Sequence, residues 1–375
     1  MKLLLFILTS LLILPQYTSA NHSFVRSDST TVFPQEAIGV SAKIIRLLNH
    51  IDSPIDGSFY ISSITDDRAF KSNIGMAHRY LDRPLVVPLL LSKDFLKDLE
   101  QATQRWKPQM TGHRAIKMKI KEIYIWDYIH FQIERRYAKV VIEFMDREDE
   151  SLGTFTSLIT EKGKYIRFSH EKRLEKAIWD CLEQLAEYLK KGAKRNEYSK
   201  KAKRKEGSIV FGAVNNFLDL KKQDLKFIRP VLEKANPPEL YRYKPTNDKE
   251  LRTGYYAYLT GEDIYIKATN YANSGAYYVK VLEKGKYWFM IDRVNIQSLS
   301  QDLFRESDQM LANVVIGIII DSETGVPQFV TDDLLKELIA PHPDLADKYL
   351  IVDILKHPVQ LDRVRRLIAE INQRY

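Results

Sequence analysis

Asp66 and Arg68 stand two residues apart where a short apolar run, Ser58 to Ile64, ends in Thr65-Asp66-Asp67-Arg68. A carboxylate and a guanidinium held this close can form a ligand-binding pair at a strand end. The same residues also make an ordinary turn, in which the aspartate caps backbone and the arginine pairs locally, and the turn is the preferred reading. Other local chemistry is missing. The eight histidines are scattered, the one cysteine has no partner, and His-Glu-x-x-His, Gly-x-Ser-x-Gly and Gly-x-x-x-x-Gly-Lys-Ser/Thr do not occur. A hydrolase or transferase would need a site assembled from distant residues, near Asp66 and Arg68. No metal or cofactor is expected. Cys181 lies on an apolar helical stripe and reads as a small buried hydrophobe, and His342, between Pro341 and Pro343, reads as a connector.

Aromatic density is the stronger binding signal. Ten tyrosines fall between Tyr241 and Phe289, among them Tyr255, Tyr256, Tyr258, Tyr265, Tyr277, Tyr278 and Tyr287, with Trp288 beside the last. Strand propensity accounts for many of them. Strands carrying aromatics on both faces nevertheless have to put some outside the core, where tyrosine suits sugar or protein contacts. Those eight residues are the tentative binding face.

Charge is concentrated in one place. The formal net charge is +8, and the segment from Lys190 to Glu206 holds nine basic residues, including Lys200, Lys201, Lys203, Arg204 and Lys205, against two acidic ones. The excess belongs to a linker and argues for no nucleic-acid partner. At most it holds the protein weakly at an anionic membrane surface, an attraction that salt screens.

The amino end reads as an export signal: Met1-Lys2, an apolar stretch from Leu3 to Leu14, then Thr18-Ser19-Ala20. That stretch falls short of the roughly 20 residues needed to cross a bilayer. Cleavage is expected after Ala20. Position 21 is asparagine, so no lipid-bearing cysteine follows, and a periplasmic or secreted protein without disulfides is expected.

The elements that would position these residues fall into two groups. After a lead-in over 21–35, a helix capped by Ser92 carries Phe95, Leu96, Leu99 and Ala102. Ile116, Met118 and Ile120 alternate with lysines, then the phase slips at Glu122 so that Ile123 and Ile125 continue the face, as a β-bulge does. Ala138, Val140, Ile142 and Phe144 share one face of a second strand, Thr154 to Thr160 form a third, and Ser169 caps a helix striped with Leu174, Ala177, Ile178, Cys181, Leu182, Leu185 and Leu189. Beyond the basic run, a helix is expected over Asn215 to Ala235, and two hairpins over Tyr255 to Lys267 and Tyr277 to Ile291. A buried strand at Val314 to Ile320, a helix capped by Thr331 and a last helix from Pro358 follow.

The order from Ser58 to Leu189 resembles the YajG-like lipoproteins and the wider group sharing the amino-terminal domain fold of TolB. The resemblance rests on a strand running into Asp66-Asp67-Arg68, a helix near Ser92, antiparallel strands and a long closing helix. It implies a non-enzymatic envelope accessory or assembly component. The chain departs from that group in lacking the lipid-carrying cysteine. Tyr255-Tyr256-Ala257-Tyr258, Asp263-Ile264-Tyr265-Ile266 and Tyr278-Val279-Lys280-Val281-Leu282 resemble tails of uncharacterised exported Bacteroidota proteins.

The expected fold class is α+β: an antiparallel sheet with helices on one face over 36–190, a basic linker over 191–207, and an aromatic-rich, strand-rich α+β domain over 208–375. The expected function is an adaptor that binds an envelope protein or a glycan, with the hydrolase or transferase as its rival.

Overall fold

The computed structural model describes residues 42–47, 50–78, 86–130, 133–163, 170–191, 211–226, 228, 231–235, 240–246, 254–272, 277–294, 314–349, 354 and 357–375. The expected signal and lead-in, Ser169, and the linker residues Lys200, Lys201, Lys203, Arg204 and Lys205 lie outside them.

The first unit is a seven-stranded sheet. Its strands are β1 (Lys43–Ile45), β2 (Phe59–Asp66), β3 (Gly75–His78), β4 (Val86–Leu91), β5 (Arg114–His130), β6 (Ile133–Met145) and β7 (Ser151–Gly163). Two helices, α1 (Phe95–Trp106) and α2 (His170–Lys191), pack on one face. The bulge lies where the phase slips, between Ile120 and Glu122. It keeps Ile116, Met118, Ile120, Ile123 and Ile125 in the core beside Val140, Ile142 and Phe144. The α+β class stands, but the sheet is mixed rather than antiparallel. β2 and β3 both run parallel to β5, along successive stretches of the same strand, and β1 runs parallel to β4. β5 is 17 residues long and so can pair with two short strands end to end. Ser92 does not cap α1 with its side chain; its carbonyl accepts from Phe95 N, and Asp94 holds the N-cap position.

The second unit stacks three layers. A six-stranded sheet comprises β8 (Phe211–Val214), β9 (Leu232–Lys234), β10 (Arg242–Pro245), β11 (Ala257–Thr260), β12 (Asp263–Lys267) and β13 (Tyr278–Lys280). Under it lies a three-stranded sheet of β14 (Tyr287–Val294), β15 (Val314–Asp321) and β16 (Pro327–Phe329). Ile316, Ile318 and Ile320 pack toward the first of these sheets, while Ile319 packs toward the helices, so a strand buried on both faces reads as an unbroken apolar run. A short helix, α3 (Phe217–Lys221), follows β8, and the helical layer holds α4 (Asp332–Ile339), α5 (Pro343–Lys348) and α6 (Leu361–Asn372).

Two expectations fail here. The helix expected over Asn215 to Ala235 is only α3, since Gln223 adopts φ 54° and Leu232–Lys234 joins the sheet as β9. Sheet pairing overrides the local preference. The expected hairpin of Tyr277 to Ile291 is a corner between sheets, because β13 and β14 belong to different ones and are joined by a short bridge of Leu282 and Glu283 with Phe289. The hairpin of β11 and β12 forms as read, with Tyr258 opposite Tyr265.

Candidate binding face

Asp66 and Arg68 close on each other. Arg68 Nε and Nη2 donate to the two carboxylate oxygens of Asp66, each at 2.8 Å, and Arg68 N donates to Oδ1 at 3.2 Å. Burial alone would raise the Asp66 pKa, but the bond and charge of Arg68 more than offset it and hold the carboxyl below its usual range. The turn geometry is therefore the one formed, with Arg68 Nη1 buried and without a partner among the described residues. Cys181 is buried between the carbonyls of Val140 and Phe155, and burial pushes its thiol pKa up. His342 is the N-cap residue of α5, ahead of Pro343.

The tyrosines are brought together, but inside. Tyr255, Tyr258, Tyr265 and Tyr278 form one buried cluster on a face of the six-stranded sheet, with the rings of Tyr258 and Tyr278 at 4.6 Å. Tyr277 donates to Asp292 at 2.8 Å, Tyr271 donates to the same oxygen at 2.9 Å, and Arg242 Nε donates to the other at 2.5 Å. Tyr256 and Trp288 pack around Phe217, and Tyr287 lies edge-on to Tyr375. Of the eight residues of the expected face, Tyr255, Tyr258, Tyr265 and Tyr278 are buried and Tyr256, Tyr277, Tyr287 and Trp288 are half-buried, so none stands on an exposed aromatic face. A second sheet, three helices and the first unit supply enough surface to cover both sides of the aromatic strands, which alternation in one strand does not reveal.

What covers part of this surface is the first unit itself. Past the bulge, the face of β5 opposite the helices carries Glu122, Tyr124, Trp126 and Tyr128, and the second unit docks there. Phe70, Tyr124, Phe217 and Leu218 make a small shared core. Glu122 pairs with Lys222, and Asn73 Nδ2 donates to Thr324 O at 2.6 Å. Gly254 (φ +74°) lies so close to the Tyr128 ring that a Cβ would fall 2.1 Å from it. Lys267 is 1% exposed, and its Nζ donates to the Tyr128 hydroxyl at 2.9 Å and sits over that ring. Burial draws the Lys267 pKa down to about 7. A cavity of about 30 Å³ remains at the seam, near Trp126, Asn216, Gly254 and Tyr256, about the space of one water and far below a ligand pocket of several hundred Å³.

Before the bulge, among the described residues, the second unit does not cover the same sheet face. Lys117, Lys119 and Lys121 rise from β5, flanked by Ser63 and Thr65 of β2, Val141 and Glu143 of β6, and Thr154 and Thr156 of β7, with Leu158 further along the edge, level with Tyr124. Lys117 reaches Asp149 at 2.9 Å, and Lys121 meets Asp67 and Glu143. Leu158 is 54% exposed. Ammonium donors, hydroxyls and two apolar side chains on a sheet face can hold a polar, acidic partner. Their ion pairs are solvent-facing and contribute little, so a partner's carboxylate can replace them. The alternation of lysine with isoleucine was legible in the sequence, but which half of the face would stay open was not.

Opposite, between sheet and helix, buried Asp127 accepts from Arg173 Nη2 at 3.2 Å and lies 3.2 Å from His170 Nε2. Burial would raise its pKa, yet His170, Arg173 and Arg136 outweigh it and hold the carboxyl far below the usual range. This network ties α2 to β5. Among the described residues no cluster of three His, Cys, Asp or Glu is arranged to hold a metal ion, and no helix is long and apolar enough to cross a membrane.

Residues 239–358 match a family of unknown function (DUF6563). No curated protein matches the chain. Among solved structures, an uncharacterized protein is similar at 6% identity over 41% of this chain and 99% of its own, with a TM-score of 0.21. A putative neuraminyllactose-binding hemagglutinin homolog from Helicobacter pylori is similar at 10% identity over 40% of this chain and 90% of its own, with a TM-score of 0.18. Scores this low establish neither a shared fold nor a shared activity.

Proposed function

We propose that the protein is an exported, non-enzymatic accessory or adaptor of the cell envelope that holds a protein or glycan partner on the open half of the first sheet's outer face. The observation that carries this reading is the division of that face. One half is sealed by the second unit, and the other presents the lysine row with threonines and Leu158. A polar sheet face suits recognition, and the lysine row favours an acidic partner, such as a carboxylated glycan or an acidic protein surface. Kinship of the first unit with the TolB amino-terminal fold belongs to the same proposal, as does weak contact of Lys200, Lys201, Lys203, Arg204 and Lys205 with an anionic membrane surface.

The test is binding of the purified protein to an array of acidic and neutral glycans, and pull-down from its own envelope fraction. Replacing Lys117, Lys119 and Lys121 together with glutamine is expected to cut binding at least tenfold while leaving the thermal melt nearly in place, since their exposed ion pairs contribute little. Binding indifferent to that replacement would remove the face from consideration. Turnover of a bound glycan by the purified protein would overturn the non-enzymatic reading.

A further inference from the structure

β7 is the outermost strand of the first sheet and, among the described residues, pairs only with β6. It runs for 13 residues, about twice the usual strand length. Leu152 to Thr160 contains no charged residue and no proline, although natural edge strands are blunted by such residues to prevent pairing with other chains. Its middle holds Thr154, Phe155, Thr156, Ile159 and Thr160, β-branched and aromatic residues that favour a ladder. The ends carry opposite signs: Glu148, Asp149 and Glu150 lead into the strand, and Lys162 stands next to its last residue, while Glu161 is turned to Arg173 of α2.

That asymmetry selects the occupant. A neighbouring strand running antiparallel with the same flanks sets the acidic end of each against the basic end of the other, whereas a parallel copy sets like against like. We propose that the protein pairs with a second copy of itself through β7, in an antiparallel ladder with a two-fold axis at Thr156. In this register Thr154 of one copy lies opposite Leu158 of the other, and past the register shift between Ser151 and Gly153 the acidic turn at Glu150 comes beside the basic end at Lys162. From Thr154 to Thr160 the even-numbered residues stay on the outer face and Phe155, Ser157 and Ile159 on the helix side, so the pleats of the two sheets match over that stretch; before Gly153 the register shifts, with Ser151 against Glu143 on the outer face and Leu152 packed on the core. α2 sits over both β6 and β7, its Cys181 against the Val140 and Phe155 carbonyls and its Gln184 donating to Thr156 O at 3.1 Å. With strands about 4.8 Å apart, the two copies of α2 come within about 10 Å, a helix-packing distance. The contact is isologous and closed, as in most soluble dimers. It joins two lysine–threonine faces into one surface, but it does not depend on what that surface binds.

Light scattering of the purified protein over a concentration series reads the outcome directly, with no ligand present. The expected mass is twice that of the chain. Leu158→Lys with Thr160→Lys, two exposed positions on the edge, is expected to halve it without moving the thermal melt. Glu150→Lys and Lys162→Glu should each weaken the dimer, and the two together should restore it. Thr156→Cys is expected to give a disulfide-linked dimer in air, against a low background because Cys181, the one native cysteine, is buried. A monomer at every concentration overturns the proposal. A dimer that survives Leu158→Lys with Thr160→Lys, or that fails to cross-link through Thr156→Cys, places the contact elsewhere and equally overturns it. Loss of ligand binding in the lysine-row variant with the dimer intact would separate this inference from the binding reading.

Discussion

Lys267 sets an amine where water does not reach, against the hydroxyl and ring of Tyr128 and beside Tyr278 on the neighbouring strand. Burial lowers its pKa from 10.5 to about 7 in the folded protein. Between those values the unfolded chain binds a proton that the folded chain does not. Stability therefore rises with pH through that window, by about 1.4 kcal/mol per pH unit from this residue. Below it both states hold the proton, the slope disappears, and the native state carries a buried charge without a counter-ion's full compensation. Lys267→Met is expected to stabilise the protein at neutral pH and below, and to flatten the rise above it. Urea unfolding midpoints at a series of pH values check this; an unchanged slope would mean that the folded amine stays protonated. In the sequence Lys267 is only the last residue of Asp263-Ile264-Tyr265-Ile266-Lys267, where a strand-end lysine ordinarily reaches water. The first unit's Tyr128, more than a hundred residues away, closes that route.

Among the elements, the short helix α4 shows how far local chemistry carries. Thr331 Oγ1 accepts from Leu334 N at 3.2 Å, and Leu334, Leu335 and Leu338 bury on one side. Thr331→Ala should lower stability by about 1 kcal/mol, measurable as a shift in the denaturation midpoint with unchanged slope. The bulge of β5 was equally local, because a phase slip in alternation has few other causes. By contrast, the failed helix over Asn215 to Ala235 and the failed hairpin after Tyr277 depended on partners. Asn216 caps a real first turn by accepting from Asp219 N at 2.8 Å, but beyond α3 the chain is drawn into pairing, Lys226 with Ala213 and β9 with β10.

At the scale of the whole molecule, two bodies of core meet across a seam of Phe70, Tyr124, Phe217 and Leu218. The basic run offers trypsin a dense set of sites between Lys190 and Lys205. Limited digestion is expected to cut there first and leave two fragments that still travel together on gel filtration. Phe217→Ala should let them separate, since it empties the centre of the seam and removes ring contacts to Phe70, Tyr256 and Trp288. Early cuts inside either body, or fragments that part without the substitution, would argue against a seam of this strength.

The amino-acid order by itself determined the α+β class, the core faces of β5, β6 and α2, the bulge, the cap of α4 and the burial of Cys181. Each comes from periodicity or from contacts a few residues apart, where backbone geometry alone sets which side chains share a face. Tertiary structure decided which faces were covered. The direction of β2 beside β5, the sealing of the tyrosines and the open lysine row all depend on which distant surfaces meet, and a residue's own neighbours in sequence carry no record of the surface that will lie across from it.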